Sequence, residues 1–198
     1  MKKVNVYLIT ILFLFQTSLL AYNSQPKEFI SELVNDAISK LSDKNLDKSE
    51  KANFIAKIAL ENVDINALSL YTLGELRKST DKQTLTKFKQ SFEKYFLKSL
   101  TSRLADYSSS KFEVLGFDKK SSNYTIVKSK VTPGDGGPEI KIDWRIYTKN
   151  PDKPLIRDLI VEGLSLARTQ KEEFASILSS NNNDINILII KLEEFVNN

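Results

Sequence analysis

The sequence predicts an α+β domain in which helices pack on one antiparallel sheet of about four strands. Helical periodicity fills the first half of the chain, from Pro26 to about Tyr107. Four segments typical of strands follow one another, and two further helical patterns close the chain. Because short turns link consecutive strands, we expect the strands to pair as an antiparallel meander. Helices and strands that are segregated along a chain are typical of the α+β class.

The first 21 residues have the pattern of a secretory signal peptide. Lys2 and Lys3 precede an apolar run, residues 4–20, and the small residue Ala21 suits a cleavage site. A retained membrane anchor is the alternative, since about seventeen apolar residues lie at the lower limit for crossing a bilayer. We favour cleavage because the following segment is polar and has no basic cluster. Residues 22–198 are then expected to form a single exported domain.

Capping residues delimit the first three predicted helices. Pro26 opens the first helix, which carries an apolar stripe on one side. Asp47 and Glu50 have the spacing of a capping box and open the second helix. Asp64 is expected to cap a short third helix, which ends at Gly74 because glycine readily adopts the left-handed conformation of a helix terminus.

The fourth predicted helix is the longest. Thr80 and Gln83 have capping-box spacing at its start, and it extends to about Tyr107. Its apolar stripe forms a tall hydrophobic wall, made of Leu85, Phe88, Phe92, Tyr95, Phe96, Leu100 and Leu104. We expect this wall to cover one face of the sheet.

The predicted strands are residues 111–117, 124–131, 139–147 and 155–166. The third strand alternates cleanly, with Trp144 and Ile146 on an apolar face and Asp143 and Arg145 on a polar one. The fourth strand runs directly into a helix that begins at Arg168, and a last helix follows over residues 185–196. Gly163 and Ser165 lie at this strand-to-helix junction, which is where we expect the mouth of a binding site.

The composition excludes several kinds of catalytic site. The chain has no histidine and no cysteine, which excludes a Ser-His-Asp triad, a thiol nucleophile and the usual zinc sites. The strand acids Asp143, Asp158 and Glu162 could serve as a carboxylate pair. Ion pairing with strand arginines is the favoured interpretation, because opposite charges commonly pair on a sheet face. The 29 basic and 25 acidic residues nearly balance and are intermixed, so we expect no nucleic-acid partner.

Two stretches resemble a known family. The first combines Asp158, the run Val-Glu-Gly-Leu-Ser-Leu at 161–166, and Phe174 followed by Ile-Leu at 177–178. The second has Leu-Gly at 73–74, a basic residue at 77, then Phe88, Phe92 and Tyr95 on the long helix. This pair of patterns resembles the MlaC, or toluene-tolerance, family of periplasmic phospholipid-binding proteins. The matches extend from about Pro26 to Leu192.

The resemblance implies a soluble carrier that holds a diacyl lipid in an apolar slot between the sheet and the long helix. Sequence pattern by itself does not separate such a slot from a filled core, and the resemblance favours the slot. It implies no enzymatic activity, and no cofactor apart from bound phospholipid as cargo. The residues expected to line the slot are Leu73, Phe88, Phe92, Tyr95, Phe96, Trp144, Ile146, Ile160, Gly163, Leu164, Leu166 and Phe174.

The resemblance also implies partners and a cellular place. The expected protein is a periplasmic monomer of an Mla-type ABC transport system that maintains outer-membrane lipid asymmetry. Its partners would be an outer-membrane lipoprotein and an inner-membrane ABC transporter complex with a lipid-binding ring. Because no basic cluster marks a phosphate clamp near the junction, we expect little headgroup preference. A carboxylate-dependent periplasmic hydrolase and a lipid-free scaffold are the alternatives.

Overall fold

The computed structural model describes residues 22–104 and 110–198. The predicted signal peptide, residues 1–21, and the predicted end of the long helix near Tyr107 lie outside this range. Within the described residues, every helix is either too short or too polar to cross a bilayer.

The described residues form seven helices and five strands. The helices that precede the sheet are α1 (Pro26–Ser42), α2 (Lys48–Asn62), α3 (Ile65–Thr72), α4 (Leu76–Ser79) and α5 (Lys82–Leu104). The strands are β1 (Ser110–Lys119), β2 (Tyr124–Pro133), β3 (Ile140–Tyr147), β4 (Leu155–Val161) and β5 (Leu164–Ser165). The chain then continues into α6 (Leu166–Ser179) and α7 (Ile185–Asn197).

The strands form one antiparallel sheet with the order β1-β2-β3-β4-β5. Each strand therefore pairs with its neighbour in sequence, as in the predicted meander. The α+β class with one antiparallel sheet is confirmed, and the sheet has five strands rather than about four.

Most of the predicted caps are present. Asp47 and Glu50 form a reciprocal capping box, and the side chain of Asp64 accepts from the backbone N–H of Ala67 at the start of α3. The predicted capping box at the start of α5 is wrong. Asp81 accepts from the backbone of residues 83 and 84, whereas the Thr80 hydroxyl donates backwards to the carbonyl oxygen of residue 76. An aspartate immediately before the helix competes effectively for the first free N–H groups.

The predicted fourth strand, residues 155–166, is two strands joined by a tight hairpin. Val161 pairs with Leu164, so Glu162 and Gly163 form a two-residue turn. Both turn residues have positive φ, 48° and 84°, as a type I′ turn requires. The apolar run on both sides of the turn masks this reversal in the sequence.

Replacing Gly163 by alanine tests the turn. An added Cβ would meet no atom within 4 Å, so the whole effect comes from the backbone φ of 84°. We expect a loss of about 1 kcal/mol in the free energy of unfolding, since L-residues avoid this conformation. Gly116→Ala is the matched control, because Gly116 also has open space around it but no positive φ. Equal effects of the two substitutions in urea unfolding would contradict the I′ assignment.

Helix α1 covers one face of the sheet. Phe29, Ile30 and Leu33 of α1 pack against a cluster of strand residues, which are Val127, Trp144, Ile146 and Ile156. The indole N–H of Trp144 donates to the hydroxyl of Ser129, 2.9 Å away, so its only polar group is satisfied inside this core. We call this side of the sheet the core face.

The long helix α5 packs on other helices. Its buried residues Phe88 and Phe92 lie in a cluster with Phe174 of α6 and with the α7 residues Leu188 and Ile189. The expectation that the long helix covers the sheet is therefore wrong: α1 takes that place, and α5 packs mainly on α2, α3 and α7. The sequence predicts the apolar stripe of α5 correctly, but α7 carries a more strongly apolar stripe and is its main partner.

Candidate functional site

A cavity of about 790 Å³ lies between the sheet and two helices, α3 and α6. This volume falls within the roughly 300–1,000 Å³ typical of ligand pockets. The lining combines apolar, aromatic and charged side chains: Ala67, Leu68, Tyr71, Asp118, Lys120, Ser121, Tyr124, Ile126, Lys128, Asp143, Arg145, Arg157, Ile160 and Ala167. The cavity opens on the side of the sheet opposite to α1, which we call the cavity face.

The alternation of side chains along the strands determines which sheet residues line the cavity, and we call this part of the lining the floor. Directly paired residues share a face, and Ile160 pairs with Asp143, whereas Trp144 pairs with Leu159. Asp143 and Ile160 line the cavity, and Trp144 and Leu159 point to the core face. The floor is therefore the more polar side of β3.

A β-bulge in β4 changes this alternation. Asp158 pairs with Arg145 and Ile156 pairs with Ile146, so Arg157 is an extra residue without an opposite partner. Ile156 lies in the core cluster, and Arg157 lines the cavity. Because of the bulge, the consecutive residues Arg157 and Asp158 both lie on the cavity side of the sheet.

Arg157 joins the sheet to the start of α3. Its guanidinium donates to one carboxylate oxygen of Asp64 through Nε at 2.8 Å and Nη2 at 2.7 Å. Nη1 donates to the Tyr124 hydroxyl at 2.7 Å, and the guanidinium lies 3.4 Å from the ring centroid of Tyr147. Burial alone lowers the pKa of Arg157, but its hydrogen bonds to Tyr124 and Asp64 outweigh burial and raise it. The arginine therefore stays charged at any physiological pH.

Asp158 joins the sheet to the start of α6. Its side chain is 1% exposed and accepts from the Ser165 hydroxyl at 2.7 Å and from the Ala167 N–H at 3.0 Å. Arg145 on β3 lies 3.6 Å away, which is the predicted pairing with the neighbouring strand. A carboxylate at a helix N-terminus is stabilised by free N–H groups and by the helix dipole. Since both oxygens are engaged, the geometry supports a structural role for this acid.

A second group of charges lies where β1 turns into β2. Asp118 contacts Lys120 at 2.8 Å and Lys128 at 3.6 Å. The Lys120 hydrogen bond is the main cause of the lowered pKa of Asp118. With Arg145 and Arg157, four basic side chains line the cavity, and each of them lies beside a carboxylate. These residues are far apart in sequence, and only the sheet register brings them together. Little headgroup preference stays a prediction.

The structure distributes the predicted slot residues over different places. Ile160 lines the cavity. Leu73, Phe88, Phe92 and Phe174 are buried in the helical cluster, with Tyr95 and Phe96 packed against it. Trp144 and Ile146 are buried under α1. Leu164 and Leu166 are 69% and 42% exposed, and Gly163 lies in the hairpin turn. The arrangement of all twelve around one gap is therefore wrong, and the contact of Ile160 with lipid stays a prediction.

Sequence reasoning missed the residues on the polar side of the sheet, above all Tyr124, Lys128, Arg145 and Arg157. The sequence predicts a slot on the apolar side of β3, but α1 fills that side with its own side chains. One signal was present: an alternating strand whose second face mixes charge with tyrosine. A fully solvated face has no need of Tyr124 and Tyr147, whose rings pack 5.3 Å apart between centroids.

Comparisons with known proteins agree with this fold. The structure is similar to that of a phospholipid-binding protein from Ralstonia solanacearum, solved in complex with a phospholipid. The TM-score is 0.70 and the identity 17%, over 84% of this chain and 94% of that chain, which shows a shared fold. No curated protein sequence matches the chain. The family model described as MlaC protein matches residues 31–194, and the chain therefore belongs to the MlaC family.

Proposed function

We propose that this protein is a periplasmic phospholipid carrier, the soluble component of an Mla-type ABC transport system. In this role it shuttles diacyl lipids between the outer and inner membranes and so maintains outer-membrane lipid asymmetry. The observation that carries the proposal is the cavity between the sheet, α3 and α6, in a chain of the MlaC family. The Ralstonia solanacearum protein of the same fold was solved with a phospholipid bound, which supports the same ligand class.

The energetics of lipid transfer explain why a carrier is needed. At about 0.8 kcal/mol for each methylene, exposing one C16 chain to water costs on the order of 12 kcal/mol. Two chains cost about twice as much, so unassisted passage through an aqueous compartment is very slow. A protein cavity that keeps the chains out of water lowers this barrier without any chemical step.

The lining suits an amphipathic ligand. Leu68, Ile126 and Ile160 offer apolar surface to acyl chains. Lys128 and Arg145 are about half exposed, at 51% and 44% of their side chains, so they can reach a phosphate that remains in contact with water. Phosphate is bound well by such cationic side chains. In this arrangement the headgroup lies beside the charged residues and the chains lie under the helices.

A hydrolase is a poorer fit to this site. Catalysis by carboxylates needs one acid that is free to take or give a proton. Of the three strand acids, only Asp143 lines the cavity, whereas the buried Asp158 accepts hydrogen bonds on both oxygens and lies beside Arg145. Asp143 therefore lacks a second strand acid with which to form a catalytic pair in the cavity. A binding protein that releases its cargo unchanged needs none of these groups for chemistry. The proposed partners are the outer-membrane lipoprotein and the inner-membrane transporter complex.

Mass spectrometry of a solvent extract tests the proposal. The protein is produced with its own leader, purified from the periplasmic fraction without detergent, and extracted with organic solvent. We expect intact diacyl phospholipid at about one molecule per chain, and a mature chain that starts near Tyr22. An unrelated periplasmic protein purified in parallel corrects for carried-over membrane. A lipid-free extract, or one that contains only cleaved lipid, would contradict a carrier.

A further inference from the structure

Two neighbouring residues hold the two helices that close the cavity. Arg157 binds Asp64 immediately before α3, and Asp158 binds Ser165 and Ala167 at the start of α6. These helices contribute the cavity wall opposite the sheet, and they also pack on each other. Both helices of this wall are thus bonded to consecutive residues at a single bulge in β4.

Further hydrogen bonds hold both partners of the contact between Arg157 and Asp64. Asp64 is fixed by its backbone N–H, which donates to the carbonyl oxygen of Ile156 at 2.9 Å. One of its carboxylate oxygens caps α3 and the other binds Arg157. Arg157 is in turn held by Tyr124 on β2 and Tyr147 on β3. The start of α3 is therefore held against β4 by this backbone hydrogen bond and by the Arg157 guanidinium, which donates to both Asp64 and Tyr124.

The contact between Asp158 and the start of α6 relies on a buried carboxylate. Asp158 is buried, and its two oxygens accept from the last residue of β5 and from the first turn of α6. The Ser165 hydroxyl also accepts from the N–H of Arg168 at 3.1 Å, so it links the carboxylate to the helix. A buried charged hydrogen-bond acceptor has few alternative geometries, because leaving it unpaired is costly.

We propose that Arg157 and Asp158 are positioning residues that set the width of the cavity and thereby decide how wide a lipid it accepts. The proposal rests on the carrier function proposed above and concerns the specificity of the same site. Apolar contacts restrict small movements of the helices less than directional bonds do, since the hydrophobic effect is non-directional. Charged hydrogen bonds with fixed geometry restrict that movement. A loosened wall should therefore admit lipids with more acyl chains.

A competition between a two-chain and a four-chain lipid tests how wide a lipid the cavity accepts. Wild type and variants are incubated with vesicles of equal molar dioleoyl phosphatidylethanolamine and tetraoleoyl cardiolipin, repurified, and extracted for mass spectrometry. Wild type is expected to take the two-chain lipid almost exclusively. Arg157→Met is expected to raise the ratio of four-chain to two-chain lipid about tenfold, which corresponds to about 1.4 kcal/mol of lost discrimination between the two lipids.

Three further variants make the result specific. Asp64→Asn removes the same ion pair with an isosteric side chain that can still cap α3, so it should shift the ratio as Arg157→Met does. The double variant should shift it no further, because both changes break one contact. Ile55→Val loosens a buried cluster of α1 and α2 away from the cavity, and it should lower stability while leaving the ratio unchanged.

Hydrogen exchange gives a readout that needs no lipid. Arg157→Met should speed exchange of the α3 amides and Asp158→Asn that of the first turn of α6, with the α7 amides unchanged in both. An unchanged lipid ratio in folded Arg157→Met and Asp64→Asn would overturn the proposal while leaving the carrier function intact. Wild type that takes up neither lipid would overturn the carrier function and this proposal together. If Arg157→Met does not fold, the lipid ratio of Asp64→Asn decides whether the proposal holds.

Discussion

Replacing Ile160 by glutamate is expected to empty the protein of phospholipid and leave it folded. Ile160 is partly buried and lines the cavity beside Asp143, on the side of the sheet away from α1. In the empty cavity the new carboxylate meets water, so the fold tolerates it. With lipid bound, the carboxylate lies against acyl chains, and desolvating it costs at least about 3 kcal/mol. Affinity should fall by roughly 100-fold or more, since each 1.4 kcal/mol is a factor of ten.

Lipid extraction, paired with thermal unfolding followed by circular dichroism, checks this expectation. Leu164→Glu is the matched control, because Leu164 is 69% exposed and its substitution should change neither lipid content nor melting temperature. Ile146→Glu is the opposite control, because Ile146 is fully buried under α1 and should not tolerate a charge. If Ile160→Glu keeps its lipid, the cavity described above does not hold the acyl chains.

Replacing Phe88 by alanine is expected to cause the largest loss of stability. Phe88 is fully buried, with ring centroids 6.0 Å from Phe92 and 6.4 Å from Phe174. Truncating a buried phenylalanine typically costs about 3–5 kcal/mol, through lost burial and the cavity that remains. For a chain of this size that corresponds to a drop in melting temperature of roughly 10 °C. The folded fraction should still carry lipid, because Phe88 lies in the helical cluster and not in the cavity.

Urea unfolding and lipid extraction of the same preparation separate the two roles of this residue. Phe195→Ala is the control, since Phe195 is 44% exposed and makes an edge contact with Tyr95. We expect it to cost less than about 1 kcal/mol, as is usual for exposed positions. A small loss of stability in Phe88→Ala with a large loss of lipid would instead support the slot that the sequence predicts along α5.

Local signals in the sequence predicted much of the fold. Asp47 with Glu50, Asp64 and Gly74 marked helix boundaries that the structure retains. These signals are reliable because each depends on a few neighbouring residues and on free N–H or carbonyl groups at one helix end. Strand alternation in β3 likewise separated its two faces correctly. The family resemblance was also readable, because it depends on the order of residues along the chain.

The candidate site was harder to predict, and the faces of β3 show why. The apolar face that carries Trp144 looked like a lipid slot, yet α1 fills it with Phe29 and Ile30. Pattern shows that a face is covered but does not show whether protein or ligand covers it. The cavity lies on the other face, where Arg145 and Arg157 stand among apolar residues. Its residues come from α3, four strands, the turn between β1 and β2, and α6, and no single segment carries a motif for them.

The sequence by itself determined the α+β class, the succession of helices and strands, and the family. Tertiary structure decided which helix covers the sheet, where β4 bulges, and which face holds the cavity. The physical reason is that the class and the succession of helices and strands follow from hydrophobic periodicity and helix capping, which depend on residues within about twenty positions of one another. The covering helix, the bulge and the cavity face depend instead on which apolar helix stripe packs on the sheet and on the register of the strands. A single extra residue, Arg157, changes which side chains share a face, and the consequence appears only when Asp64 and Ser165 are brought to it across the chain.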